Sequence, residues 1–145
     1  MVKGSNLAAI LGGLLFQASR GAAASCCSQL NTQLGGKVHL PESRGYNVSM
    51  EGFWTLQAIY ETPTCVLVPE SAEDVAAAVK TLVGGNCKFS IKGGGHTPFP
   101  GAASISDGVQ IDMTSIKSVS VDKEKTVASV GAGARWLTVY RYLES

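Results

Sequence analysis

Beyond Pro63 the apolar positions fall into two rhythms, one for strands and one for a helix. Cys65-Val66-Leu67-Val68 is a short apolar run containing β-branched residues and closed by Pro69, the pattern of a buried strand. Ser71-Ala72-Glu73-Asp74 follows, with a serine at N-cap and an acid three residues on, and predicts a helix start. Val75, Ala78, Val79, Leu82 and Val83 then recur at spacings of three and four, giving one apolar face, and Gly84-Gly85 closes the helix. Residues 88–92 predict the next strand. Strand, helix and strand form a β-α-β unit, and the loop after residue 92 leaves the carboxyl end of its second strand.

Further on, Val109, Ile111 and Met113 alternate with Gln110 and Asp112, and Val119 and Val121 alternate with Ser120 and Asp122. With the run from Val127 to Val130, these positions predict an antiparallel meander. Gly131-Ala132-Gly133 ends it, and Trp136, Val139, Tyr140 and Leu143 mark the face of a helix packing on the sheet. The pattern predicts an α+β architecture, with helices on one side of a mixed sheet. Few residues follow to cover the meander, so the pattern reads as a truncated domain. Upstream, Ser25 to Leu34 predicts a short helix stopped by Gly35-Gly36. From there to Pro63 no period is visible, but Tyr46, Phe53, Trp54 and Tyr60 give an aromatic density expected of a segment packed on a core. The organisation expected is a leader over 1–24, a helix and aromatic-rich segment over 25–61, and a main domain over 62–145.

Composition narrows the possible partners. The 145 residues are 45% hydrophobic, enough for a core, while charged residues are 16% and the net charge is +1. Neither a nucleic-acid-binding stripe nor a polybasic membrane patch is present. Lys3, the apolar run from Leu7 to Phe16 and Ala22-Ala23-Ala24 form an export signal, cleaved before Ser25. The run is well short of the roughly 20 residues of a spanning helix, so secretion is expected. Export permits disulfides, and Cys26, Cys27, Cys65 and Cys87 allow three pairings. Adjacent cysteines rarely bridge each other, so Cys26 or Cys27 is expected to reach a distant partner. Cys65 and Cys87 each open a strand of the β-α-β unit, and the favoured pairing joins them if those strands are neighbours. No zinc-type spacing occurs, so no metal is expected. Asn47-Val48-Ser49 is a glycosylation sequon.

The chemistry concentrates in Lys92-Gly93-Gly94-Gly95-His96-Thr97-Pro98, directly after the strand-like Phe89-Ser90-Ile91. Consecutive glycines admit positive φ and close approach, so their amides can nest a diphosphate. A histidine at the rim of such a cradle can serve as a cofactor's ligand, its acid or base, or its covalent anchor. A P-loop hydrolase is excluded, because no Gly-Lys-Ser/Thr ends the run. His39 stands in an unpatterned segment, where solvent is its expected neighbour.

The ordered series of segments carries a resemblance. Residues 89–97, Gly101-Ala102-Ala103-Ser104, Gly108 to Met113 and Val130-Gly131-Ala132-Gly133-Ala134-Arg135-Trp136 with Val139-Tyr140 look like the start of a flavin-binding domain. Pro63 to Val68 and Glu70 to Val75 resemble its opening strand and helix. The family is that of the secreted fungal FAD-linked oxidases related to berberine bridge enzyme, in the wider vanillyl-alcohol oxidase and p-cresol methylhydroxylase group. The resemblance implies FAD as cofactor, with its 8α-methyl bonded to His96 and its diphosphate wrapped by Gly93, Gly94, Gly95 and Thr97. It also implies oxidation of an alcohol, sugar or amine-type small molecule by hydride transfer to flavin N5, with dioxygen as the final acceptor. Three departures stand out. Lys92 occupies a position where many relatives carry arginine, which costs the planar fork for phosphate; no cysteine follows Cys87 to serve as a second attachment point; and no catalytic base is identifiable. The alternative reading is a small secreted disulfide-bonded module without redox activity. Substrate and oligomeric state are left open.

Overall fold

The computed structural model describes residues 21–145, so most of the expected leader lies outside the described residues. Helix α1 spans residues 21–33. It is followed by β1 (Val38–His39), α2 (Arg44–Glu51), α3 (Leu56–Ile59), β2 (Cys65–Leu67), α4 (Ala72–Gly84), β3 (Phe89–Lys92) and β4 (Val109–Asp112). A 3₁₀ turn over Met113–Ser115, β5 (Val119–Val121), β6 (Ala128–Val130) and α5 (Trp136–Leu143) complete the chain.

The β-α-β unit forms as the sequence predicts. The Ser71 side chain accepts from the Asp74 N–H at 3.1 Å, and α4 ends against Gly85, whose N–H donates to the Thr81 carbonyl. Ala78 and Leu82 carry its buried face. The sheet differs from expectation. Its order is β1-β2-β4-β3, with β4 parallel to both flanking strands and β1 antiparallel to β2. The expected meander is therefore corrected: β4 is an interior strand of the main sheet, parallel to its neighbours, and of the three strands expected in the meander only β5 and β6 pair antiparallel, in a separate two-stranded sheet.

Helices cover both faces of the main sheet, where one covered face was expected. Cys26, Cys27 and Leu30 of α1 and Ala78 and Leu82 of α4 pack with Cys65, Leu67, Val109 and Ile111 on the first face. Met50, Phe53 and Ala58 pack with Val66 on the second. Strand alternation divides the residues: Val66 points opposite to Cys65 and Leu67, so an all-buried strand needs two covers. The aromatic-rich segment provides the second cover. Ser43 caps α2 and Thr55 caps α3, and Tyr46, Ser49, Met50 and Phe53 lie on the inward side of that segment. The packing expected of the aromatics holds for Phe53 and for Tyr46, whose hydroxyl donates to the Pro63 carbonyl at 3.0 Å. Trp54 and Tyr60 are exposed instead.

The disulfides are Cys26–Cys87 and Cys27–Cys65, with Cα separations of 6.3 and 6.1 Å. The expected Cys65–Cys87 bond is thus overturned, because β4 lies between their strands. Two strand spacings amount to roughly 10 Å, beyond the reach of one bridge. Adjacent cysteines on α1 instead join it to β2 and to the turn before β3. The α5 expectation is also corrected: the helix forms, but of its apolar positions only Val139 is buried, while Trp136 is 67% exposed and Tyr140 and Leu143 are exposed with it. Among the described residues no helix is long and apolar enough to cross a membrane.

An ion pair ties the segment before β1 to the start of α4. The Lys37 ammonium lies 2.6 Å from Asp74 Oδ2 and 3.3 Å from Glu70 Oε2, and Asp74 also accepts from the Glu70 N–H. The Lys37 bond first, and the Glu70 amide second, hold the Asp74 carboxyl below its ordinary 3.8. The resulting stability is full above that ordinary value and is lost as pH falls through the lowered value of the folded chain. Asp74→Asn is accordingly expected to lower Tm at neutral pH and to make Tm fall less steeply below about pH 4. Parallel acid-side thermal melts of the two proteins measure the difference; curves of equal slope would rule the linkage out.

Candidate cofactor site

Lys92 ends β3 with its side chain in the protein interior, 1% exposed. Its ammonium donates to Asp112 Oδ2 at 2.8 Å and to the Ser49 carbonyl, and lies 4.8 Å from the centre of the Phe53 ring. Ser49 Oγ donates to the same Asp112 oxygen. The residue expected to present charge to a phosphate is therefore an internal tie between α2 and the carboxyl ends of β3 and β4. Beside it, Ser90 Oγ donates to Gln110 Oε1 at 3.0 Å, so the polar residues of both strands pair on the second face.

From Lys92 the chain enters the glycine run on a fixed base. Gly93 comes close to the second glycine segment, since a Cβ there would sit 3.0 Å from the Ala132 carbonyl oxygen. Gly94 faces open space, with nothing within 4 Å of an added Cβ. Gly95 alone of the three has positive φ, +71°, and a Cβ on it would meet the Gly52 carbonyl at 2.7 Å. It is buried, and its carbonyl accepts from the Trp54 N–H at 2.9 Å. His96 is exposed, and the Thr97 hydroxyl accepts from the Phe99 N–H at 3.4 Å. Among the described residues, the backbone N–H groups of Gly94, Gly95 and His96 make no backbone hydrogen bond.

Gly94 and His96 line an open cleft of about 710 Å³ with Ala132, Ala134, Arg135, Trp136 and Leu137. Its far wall depends on Gly131 and Gly133, where added Cβ atoms would lie 2.3 Å from the Ile116 oxygen and 1.9 Å from the Met113 oxygen. These contacts bring the segment after β6 against the 3₁₀ turn that follows β4. The glycine run and the family resemblance together pointed to Gly93–Thr97 but not to Ala132, Ala134, Arg135, Trp136 and Leu137 as lining residues. Gly131-Ala132-Gly133 was the available signal. A second, polar cleft of about 470 Å³ reaches from His39 to Lys92, Asp112 and Arg135. His39, expected in solvent, is half-buried in β1, and its ring occupies the space where a Cβ on Gly45 would project.

Two glycine segments flanking one cleft beyond the carboxyl ends of parallel strands define a domain built to hold a nucleotide cofactor. A family model described as the FAD binding domain matches residues 63–145, and the chain belongs to that family. It is 37% identical over 135 residues to an FAD-dependent monooxygenase of Cercospora beticola, covering 88% of this chain and 26% of that protein. The fold matches glucooligosaccharide oxidase from Acremonium strictum with TM-score 0.64 and 27% identity, over 84% of this chain and 24% of the oxidase. It matches the C166A variant of berberine bridge enzyme with TM-score 0.70 and 19% identity, over 82% of this chain and 26% of the enzyme. The expected fold class and family are borne out. The chain spans about a quarter of the length of the curated relatives it matches.

Proposed function

We propose that this chain is the amino-terminal part of an FAD-dependent oxidoreductase in which His96 carries the flavin covalently. The observation that carries the reading is the exposed His96 at the rim of the 710 Å³ cleft, next to Gly94, whose Cα has nothing in front of it. The residues fit the group: Gly94 leaves room for close approach of a diphosphate, and the N–H groups of Gly94, Gly95 and His96 are available to its oxygens. Gly95 secures the bend from beneath, while Gly93 and Thr97 bracket it. The relative from Acremonium strictum is described as holding a 6-S-cysteinyl, 8α-N1-histidyl FAD, and the histidyl half of that linkage is what we assign to His96. FAD, when bound, supplies hydride acceptance at N5 from an alcohol, sugar or amine-type carbon, with dioxygen restoring the oxidised form. The protein binds and orients it.

The test is acid precipitation of the full-length protein. Yellow colour should stay with wild-type protein and leave His96→Ala. An acid-stable flavin in His96→Ala would end the assignment. Gly94→Ala should weaken FAD binding at least severalfold while leaving the Tm of the flavin-free protein unchanged, because the added methyl meets only the space assigned to the diphosphate.

We further infer an exported protein with its leader removed after Ala24. That cut falls within α1 and keeps both Cys26 and Cys27, and the two disulfides suit an oxidising compartment. Asn47 is exposed and open to a glycan, whereas the sequon's Ser49 is buried and bonded to Asp112. Glycosylation at Asn47 would therefore precede closure of α2 on the sheet. A secreted product whose mass is unchanged by deglycosylation would refute it.

A further inference from the structure

Trp54 lies in the segment where the sequence shows no period, and its indole is 67% exposed. Its backbone is nevertheless fixed on both sides. The Trp54 N–H donates to the Gly95 carbonyl at 2.9 Å, Phe53 before it is buried in the second-face core, and Thr55 after it is buried and caps α3. The indole ring is nearly parallel to the His96 imidazole, 10° between planes, with centroids 6.3 Å apart. That separation lies within the range of offset aromatic stacking. An exposed tryptophan contributes little to a core, so burial does not explain this arrangement. The ring it faces does.

We propose that Trp54 is a positioning residue for His96, holding the imidazole plane at the rim of the cleft. The inference rests on the assignment of His96 as the attachment residue. Attachment exchanges the imidazole N–H and one C–H of the 8α-methyl for a C–N bond, and the two electrons and two protons pass through the flavin to dioxygen as hydrogen peroxide. A nucleophile whose orientation is restricted before the encounter reacts faster, because less rotational freedom is lost in reaching the reactive geometry. Trp54 acts on this step through His96.

The experiment uses full-length protein produced under riboflavin starvation and then supplied with FAD, following acid-stable flavin and total bound flavin in parallel. Trp54→Ala should slow the appearance of acid-stable flavin about two- to tenfold, the range expected for loss of one aromatic stack. Total bound flavin and the Tm of the flavin-free protein should stay at wild-type values, and Trp54→Phe should restore most of the rate. An unchanged rate in Trp54→Ala would overturn the proposal. So would a parallel fall in total flavin or in Tm, which would make Trp54 a residue of binding or of folding. His96→Ala, run alongside, separates the two readings: acid-stable flavin there defeats the attachment assignment itself, whereas its absence together with a normal rate in Trp54→Ala defeats only the role of Trp54.

Discussion

Lys92→Met is expected to lose about 3–5 kcal/mol of stability, the usual cost of removing one member of a buried ion pair. The loss comes chiefly from Asp112, which is 2% exposed and would keep only the Ser49 hydroxyl and the Thr114 N–H as donors. The Ser49 carbonyl would lose its bond to the ammonium as well. Denaturant melts of the disulfide-intact protein measure the change, and adding Asp112→Leu to Lys92→Met should recover much of it by removing the stranded carboxylate. A loss under about 1 kcal/mol would show that the pair does not hold this junction. Because Lys92 reaches inward, a diphosphate seated on the glycine bend as proposed would meet backbone N–H groups rather than this ammonium.

The second large effect is expected at α1. Replacing Cys27 and Cys65 together by alanine should cost about 4 kcal/mol, the loop-closure estimate for a bridge of separation 38. Cys26–Cys87, of separation 61, would remain and hold α1 at one point only. Bridges from two adjacent residues, one to β2 and one to the turn before β3, fix both the position and the rotation of the helix, keeping Leu30 on the first-face core. Thermal melts with and without reductant give the measurement: the double variant should lie between the oxidised and the fully reduced wild type. A variant as stable as the oxidised wild type would contradict the assigned role of the bond.

The parts legible in the sequence were those whose local chemistry and burial agree. In α4 the cap, the apolar spacing and the closing glycines all indicate one helix, and the glycine run announces itself by composition. β4 was misplaced because Gln110 and Asp112 alternate with apolar residues as on a solvent-facing strand. Both are buried, paired with Ser90 and Lys92 from the neighbouring strand. Polarity marked a partner there, not water. α2 was hidden by the same substitution, since a serine holds one inward position of the set Tyr46, Ser49, Met50 and Phe53, and its partner Asp112 lies 63 residues on. The disulfides followed from strand order, which no local pattern contains. At α5 the apolar spacing was real, but spacing alone cannot say what covers a face.

Residues 93–108 join two parallel neighbouring strands, a connection that parallel-sheet proteins usually entrust to a helix. Here the connecting strap holds the residues proposed to cradle FAD, and Gly95 and Ala103 within it press on the second-face core. FAD bound as proposed would therefore rest on a strap that also helps to cover the sheet. Apoprotein breathing at this strap would uncover the β3–β4 seam, and the seated dinucleotide would act as the latch on it.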